Sequence, residues 1–130
     1  MKELDDIPRP RGELTLKILA MPSDTNRNGD IFGGWVVSQM DLAGANHAEK
    51  IAQGRVATVA IDSMAFMLPV SMGSSLSFYT QVVNIGRSSI KINIEVWACY
   101  PAEEELRKVT EGAFTFVAIN LDRHTRQVPK

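Results

Sequence analysis

The chain has 130 residues, 45% of them hydrophobic and 22% charged, which suits one soluble domain with a real core and leaves little room for a second. Its formal net charge of −1, from 14 basic and 15 acidic side chains, provides no basic field that would attract nucleic acid. Its single cysteine cannot form an internal disulfide. No apolar run approaches the roughly 20 residues that span a bilayer, and the N-terminus has acids and prolines where a signal peptide would be apolar. We therefore expect a cytoplasmic protein.

The first half of the chain predicts one strand, a turn and one long helix. Residues 13–21 (ELTLKILAM) alternate well enough to form a strand. Residues 22–30 (PSDTNRNGD) are rich in turn-forming side chains. A helix is predicted over 34–53, and Gly54 supplies its C-terminal stop.

Only one narrow stripe of the predicted helix is polar. Gln39, Asn46, Lys50 and Gln53 follow one another at spacings of 7, 4 and 3 residues, which places them on one face. Nearly all the other positions are apolar or small. A helix that is apolar over most of its circumference is expected to be largely enclosed by other structure.

Four strand-like runs follow, at 55–66, 76–85, 90–98 and 109–121, joined by connectors of hairpin length. The first and last runs are apolar at both alternating sets of positions, which predicts strands that are covered on both faces. The third run alternates aliphatic residues with Lys, Asn, Glu and Trp, which predicts a strand with one buried face.

The order of the predicted elements is strand, long helix, then four strands. Consecutive strands with short links favour an antiparallel sheet, and an enclosed helix is what such a sheet would wrap. We therefore predict an α+β domain over 13–122, in which an antiparallel sheet of about five strands wraps around one long central helix, the hotdog fold. Residues 1–12 are assigned to an N-terminal arm and 123–130 to a polar C-terminal tail. A ferredoxin-like domain would need a second long helix, which the pattern does not offer.

Asp41 is the residue of the predicted helix that most needs an explanation. Its neighbours at helical spacing, among them Val37, Ala45 and Ala48, are small or apolar, and the polar stripe lies elsewhere. A carboxylate on such a surface is costly unless it has a partner or a chemical role. Small neighbours also leave room for a substrate. The alternative is a buried structural aspartate that satisfies a nearby backbone group, and the helical pattern alone does not choose between the two.

Gly33-Gly34 stands where the predicted helix begins. Glycines at this point let a substrate carbonyl approach free backbone N–H groups at the positive end of the helix dipole. Such donors stabilise the oxyanion that forms during acyl transfer. The simpler alternative is that a tight connection into the helix requires glycine.

The remaining candidates for a site carry weaker signals. His47, His124 and Cys99 lack metal-ligand spacing, so a zinc site is not predicted. His47 falls on a mainly apolar side of the helix and is expected to be a core histidine with a hydrogen-bond partner. Cys99 is expected to pack at a strand end and not to act as a nucleophile.

One long segment resembles a known family. SDTNRNGDIFGGWVVSQMDLAGANHA is similar to the signature of the hotdog acyl-CoA thioesterases, and most similar to the bacterial YciA-type acyl-CoA thioester hydrolases. VATVAIDSMAFMLPVSMG, NIGRSSIKINIEVWA and a final strand follow in the same order and spacing. The resemblance covers about residues 13–122. Its first segment is specific because an Asn-x-x-Gly loop, a Gly-Gly pair and a helical Asp occur together at fixed offsets.

The resemblance implies an acyl-CoA thioesterase whose active sites lie where two subunits meet. Asp41 would be the catalytic carboxylate, acting as a general base or as a nucleophile. Asn26 would position the attacking water or the acyl carbonyl. The backbone around Gly33 and Gly34 would form the oxyanion hole.

The resemblance also implies where the rest of the substrate binds. The turn Gly86-Arg87-Ser88-Ser89 would be part of the cradle for coenzyme A, whose phosphates suit an arginine and two hydroxyls. Coenzyme A enters as part of the substrate, and no metal or organic cofactor is expected. The expected partners are further copies of this chain, as a dimer or a trimer of dimers, and neither nucleic acid nor a membrane.

Two other functions stay open on the sequence. A hotdog hydratase or dehydratase would need a histidine paired with an acid in the cleft, but His47 follows Asp41 by six residues and points to a different side of the helix. A non-catalytic acyl-CoA sensor would usually carry a DNA-binding segment, for which the sequence shows no candidate.

Overall fold

A computed structural model describes residues 9–130, so positions 1–8 of the predicted arm lie outside the described residues. The elements follow the predicted order, and their bounds differ from prediction by at most three residues, at the last strand. They are β1 (Glu13–Leu19), a 3₁₀ turn (Pro22–Asp24), α1 (Gly33–Ala52), β2 (Val56–Phe66), β3 (Ser75–Ile85), β4 (Ser89–Cys99) and β5 (Leu106–Ala118).

The five strands form one antiparallel sheet in the order β1-β3-β4-β5-β2, so that β1 and β2 are its two edges. Helix α1 lies across one face of this sheet and contacts every strand. The predicted architecture, one long helix against a five-stranded antiparallel sheet, is therefore confirmed. Within the described ranges, no helix is both long and apolar enough to cross a membrane.

The core lies between α1 and the sheet. The alternating aliphatic side chains of β4 point to the helix and are fully buried, together with Phe114 and Phe116 of β5. Gly44 sets the approach of the helix, because a Cβ there would lie 2.7 Å from Ile94 Cδ1 and 2.8 Å from Phe116 Cζ. A larger residue would push the helix away from the sheet.

The prediction that the helix is largely enclosed is wrong for the single chain. Its buried residues, Val36, Met40, Ala43, Gly44, Ala48 and Ala52, occupy one side only. Leu42 on the other side is 58% exposed. A single sheet covers only one side of a helix that is apolar nearly all round, so the other side needs a different surface to bury it.

The prediction that the strand at 55–66 is covered on both faces is wrong for the same reason. β2 is an edge strand, and its Val59 and Ile61 are exposed. They lie beside the uncovered side of α1, since Thr58 of β2 hydrogen-bonds to Asp41 of the helix. Exposed apolar side chains of β2 and of the outer side of α1 thus lie close in sequence to Thr58 and Asp41, and we call the surface with Leu42, Val59 and Ile61 the β2 seam.

The outer face of the sheet is more covered than the pattern of β4 predicts. Glu95, on the face expected to be exposed, is 1% exposed. Its carboxylate accepts hydrogen bonds from Arg11 Nε at 2.8 Å and from Trp97 Nε1 at 2.9 Å. These bonds offset the cost of burying a charge, and they fix the described end of the arm to the sheet.

The predicted polar tail packs on the domain. Arg126 Nη2 donates to the carbonyl of Ala52 at the C-terminal end of α1, at 2.8 Å. Val128 is buried, and its N–H donates to the carbonyl of Arg87 at 2.8 Å. The tail thus connects the end of the helix with the β3–β4 turn.

Candidate active site

Asp41 lies in the third turn of α1, on the side that the sheet leaves uncovered, and is half-buried. Thr58 Oγ1 donates a hydrogen bond of 2.6 Å to its Oδ1. In the described part of the chain, its Oδ2 has no hydrogen-bond partner. The alternative of a buried structural aspartate bonded to the backbone is therefore wrong. Within the described residues, one carboxylate oxygen is thus held in place by Thr58 and the other makes no hydrogen bond.

Thr58 is the site residue that sequence reasoning missed. It stands in an exposed position on β2, 17 residues after Asp41, with a hydroxyl among mainly apolar neighbours. The hydroxyl in an apolar run was a visible signal. Its significance depends on which residue of β2 faces which turn of the helix, and that alignment is set by tertiary packing.

The N-terminus of α1 presents free donors. The first helical N–H groups that donate hydrogen bonds are those of Trp35 and Val36. Both donate to the carbonyl of Phe32, at 3.1 Å and 3.3 Å respectively. Within residues 9–130 the N–H groups of Gly33 and Gly34 have no backbone or side-chain acceptor, as expected at the start of a helix. The N-cap residue Phe32 offers no side-chain bond to them.

The glycines at this point are not required by the backbone. Neither Gly33 nor Gly34 has a positive φ, so the alternative that a tight connection demands glycine is not supported. A Cβ at Gly34 would meet no atom within 4 Å. Glycine inside a helix costs about 1 kcal/mol relative to alanine. The space that it leaves at the free N–H groups is suited to the close approach of another molecule.

Asn26 shapes the loop that precedes the helix. Its Oδ1 accepts hydrogen bonds from the N–H groups of Asn28 at 2.9 Å and Asp30 at 3.2 Å, and Gly29 in this loop has a φ of 83°. The oxygen is thus used within the loop. The side-chain amide of Asn26 has no partner in the described ranges and remains available as a donor. It makes no contact with Asp41.

The predicted base and the predicted oxyanion hole are far apart within one chain. Gly33 and Asp41 are separated by eight residues of continuous helix, which at 1.5 Å per residue is about 12 Å along the axis. A reacting carbonyl has its oxygen about 3 Å from the oxyanion donors, and its carbon lies either in contact with the carboxylate or one water away from it. A separation of about 12 Å along one helix therefore favours a site whose two groups come from different chains.

An apolar cavity opens beside the helix N-terminus. Its volume is about 310 Å³. None of the residues that line it has a polar side chain. They are Ile31, Gly33, Val36, Phe66, Met67, Leu68, Pro69 and Val70. Such a cavity accepts an apolar group that is attached to a polar atom at Gly33.

The turn at 86–89 lies at the opposite end of α1 from Gly33. The N–H of Gly86 donates to the carbonyl of Ser89 at 2.8 Å, which closes the turn. Arg87 is exposed, and in the described part of the chain no carboxylate lies within ion-pair distance of it. Arg87, Ser88 and the tail residues 125–127 line a pocket of about 330 Å³. This arrangement is suited to an anion.

His47 lies away from Asp41. Its Nδ1 is 2.8 Å from Thr80 Oγ1 and 3.7 Å from Glu13 Oε1, next to β1 and β3. The predicted hydrogen-bond partner is confirmed, while the ring is only partly buried, at 16% exposed. A hydratase would need a histidine and an acid in the same cleft as Asp41, and this pair is not placed there.

Comparison with known proteins places these features in a family. The sequence profile of the Thioesterase superfamily matches residues 28–99. Acyl-CoA thioester hydrolase YciA of Salmonella typhimurium is 50% identical over 92% of this chain and 92% of its own length.

Two solved structures have the same fold. The hexameric thioesterase y2039 of Yersinia pestis superposes with a TM-score of 0.90 at 49% identity, over 94% of this chain and 99% of that one. The hexameric hotdog fold thioesterase Cj0915 of Campylobacter jejuni gives 0.86 at 41% identity, over 93% of each chain.

Proposed function

The chain belongs to the thioesterase superfamily and is an acyl-CoA thioester hydrolase, and from that premise we propose that each active site combines Asp41 of one protomer with the helix N-terminus of another. The observation that carries this proposal is the separation of about 12 Å between Gly33 and Asp41 along one helix. Each group has what acyl transfer needs, and a second copy can bring the two groups together.

The β2 seam supplies the contact between the two copies. It holds exposed apolar side chains of α1 and β2, including Leu42 and Val59, directly beside Asp41. A two-fold pairing along an edge strand extends the sheet and buries these side chains. In such a pair the two α1 helices run in opposite directions, so the N-terminus of one reaches the middle of the other.

Asp41 acts on the thioester as a general base or as a nucleophile. As a base, its Oδ2 takes a proton from water while the water oxygen attacks the carbonyl carbon. The N–H groups of Gly33 and Gly34 stabilise the resulting oxyanion. The tetrahedral intermediate then expels the thiolate of coenzyme A, which receives the proton from Asp41. Thr58 is a positioning residue, because it fixes Oδ1 and so aims Oδ2.

The remaining site residues bind and orient the substrate. The side-chain amide of Asn26 donates to the attacking water or to the acyl carbonyl. Arg87, Ser88 and Ser89 bind the phosphates of coenzyme A through charge-assisted hydrogen bonds. The reaction needs no metal or organic cofactor in this proposal, since coenzyme A arrives with the substrate and leaves as a product.

The proposed assembly is a trimer of dimers. The relatives of Yersinia pestis and Campylobacter jejuni are hexameric. A closed hexamer with two-fold pairs needs a three-fold contact in addition to the β2 seam. The proposed partners are further copies of this chain and the acyl-CoA substrate, with neither nucleic acid nor a membrane, and the proposed location is the cytoplasm.

Replacement of the carboxylate tests the role of Asp41. Asp41→Asn keeps the shape of the side chain, and we expect it to fold normally and to lose about 10²- to 10⁴-fold in turnover, the usual contribution of a general base. The assay is the release of free thiol from acyl-CoAs of increasing length. Asp122→Asn makes the same chemical change at an exposed position and serves as the control. Turnover near that of the wild type in a well-folded Asp41→Asn would exclude Asp41 as the catalytic group.

Isotope labelling separates the two roles of Asp41. In a single turnover in ¹⁸O-water, a general base gives an acid that carries ¹⁸O. A nucleophile forms a mixed anhydride with the acyl group, and when water attacks its Asp41 carbonyl the first acid is unlabelled and the ¹⁸O stays on Asp41. Label on the Asp41 carboxylate therefore identifies the nucleophile.

A further inference from the structure

We propose that Phe66 determines which acyl groups the enzyme accepts, by closing an apolar cavity that takes the straight, unsubstituted chain of the substrate. This inference rests on the proposed function, since it places the acyl chain in relation to the oxyanion hole at Gly33. It adds a specificity residue and a substrate class: acyl groups of short to medium length without polar substituents.

The cavity has a fixed floor and a rim that can be altered without disturbing the core. Ile31, Val36 and Val70 form the floor and are almost completely buried, at 7%, 1% and 3% exposed. Phe66 and Met67 stand at the rim, at 49% and 48% exposed in the single chain. Phe66 is the last residue of β2, so the second copy of the proposed dimer borders this entrance. The depth of the cavity is therefore set by core residues, and its entrance by two residues at the end of β2.

Phe66 lies where the acyl chain must start. Its ring atoms Cζ, Cε2 and Cε1 are 3.5, 3.7 and 3.9 Å from the position that a Cβ of Gly33 would occupy. A carbonyl oxygen that accepts from the Gly33 N–H lies about 2.9 Å from that nitrogen. The first carbons of the acyl chain are then held between the helix N-terminus and the Phe66 ring. A straight chain passes the ring, whereas a branched or aromatic acyl group meets it.

The lining defines the chemistry of the chain. None of the eight lining residues has a polar side chain, and the proposed carbonyl uses the backbone N–H of Gly33. A hydroxyl or carboxylate on the acyl group would therefore gain no side-chain hydrogen bond in exchange for its water. A volume of about 310 Å³ is at the lower end of the range of ligand pockets. At roughly 30 Å³ for a water-sized group, it holds about ten such groups. The cavity thus suits chains of up to about ten carbons.

Two substitutions at Phe66 are expected to change selectivity in opposite directions. Phe66→Ala removes the ring and opens the entrance, and Phe66→Trp narrows it. Leu121→Ala, at an exposed apolar residue outside the cavity, is the control. The measurement is kcat/KM for straight acyl-CoAs from acetyl to palmitoyl, together with a branched and an aromatic acyl-CoA.

In the wild type, kcat/KM should rise by about fourfold per methylene until the cavity is full and then level off. The selectivity is the kcat/KM for the aromatic acyl-CoA divided by the kcat/KM for the straight acyl-CoA of equal carbon number. Phe66→Ala should raise this ratio by at least tenfold, the scale of one or two misplaced methylenes. Phe66→Trp should lower this ratio, and Leu121→Ala should leave it unchanged.

The pattern across substrates decides between the outcomes. A uniform loss for every substrate in both Phe66 variants would overturn the inference, because it would mean that the ring contacts the pantetheine arm or only supports the fold. An unchanged ratio in both would overturn it as well. The proposed function fails separately, if the wild type releases no thiol from any acyl-CoA.

Discussion

Two inactive variants of this chain are expected to restore activity when they assemble together. One variant is Asp41→Asn, which removes the base. The other is Gly33→Pro, which removes one oxyanion donor with little harm to the helix, because Gly33 is the first helical residue and proline is favoured there. Loss of one such donor costs about 10²- to 10³-fold in turnover. Each variant alone should therefore retain about 1% activity or less.

The size of the recovery follows from the geometry. In a mixed dimer, one site combines both substituted groups and is inactive, whereas the other combines Asp41 of the Gly33→Pro chain with Gly33 of the Asp41→Asn chain and is intact. Random pairing of equal amounts makes about half of the dimers mixed, with one intact site of two in each. The mixture should thus have about a quarter of the wild-type specific activity, at least 25-fold above either variant.

A second mixture tests the shared site through a loss of activity instead of a recovery. A chain that carries both substitutions is combined in equal amount with the wild type. If sites are shared, mixed dimers have no intact site, and about a quarter of wild-type activity remains from the pure wild-type dimers. If each chain holds its own site, half remains.

Thiol release from an acyl-CoA is the assay, and two affinity tags, one on each chain, verify that mixed dimers form. Mixed dimers without recovered activity, together with half-activity in the second mixture, would refute the shared site. In that case the separation of about 12 Å along α1 would have to be bridged by a different donor or a different base.

Three further predictions concern residues around the site and on the sheet. Thr58→Val should lower kcat by about 10- to 150-fold with little change in KM, the value of a hydrogen bond to a charged group, and should remain folded by circular dichroism. Arg87→Ala should raise KM for acyl-CoA far more than it lowers kcat. It should leave KM unchanged for the same acyl group on a pantetheine thiol without the nucleotide. An equal effect on both KM values would mean that Arg87 does not bind phosphate. The Lys108 hydrogen bond lowers the pKa of Glu111 from its usual 4.5. The stability advantage of the wild type over Glu111→Gln, measured by denaturant unfolding, should therefore be present above pH 4.5 and shrink as the pH falls through the folded-state pKa. An advantage that does not change with pH would contradict this.

The fold was predictable because local patterns and global packing agree at most positions. The alternating aliphatic residues of β4, such as Ile92 and Ile94, face the helix as their period predicts. The same period failed at Glu95, which is buried on the outer face. Its burial depends on Arg11, 84 residues earlier in the chain, and a contact of that range leaves no trace in a local pattern.

The site was predictable in its parts and not in its geometry. Asp41 and Gly33 stand out by residue type against their surroundings, so the sequence identifies them. Thr58 is visible as a hydroxyl in a mainly apolar run, but its proposed role depends on how β2 aligns with α1, which the sequence does not show. Whether Asn26 and Asp41 act on one substrate depends on the arrangement of two chains, which neither local pattern nor single-chain packing determines.

The two failed burial predictions and the proposed division of the site between two chains have one physical cause. The outer side of α1 and the edge strand β2 are apolar, and the single chain leaves Leu42 and Val59 exposed directly beside Asp41. A carboxylate at that position is tolerated in the monomer because water reaches it. In the proposed dimer, the same contact that buries the apolar side chains of the β2 seam removes water from around Asp41 and brings in the N–H groups of Gly33 and Gly34. Because hydrogen bonds and charges act more strongly once water is excluded, assembly of the dimer is, in the proposed function, the step that turns a surface aspartate into a catalytic one.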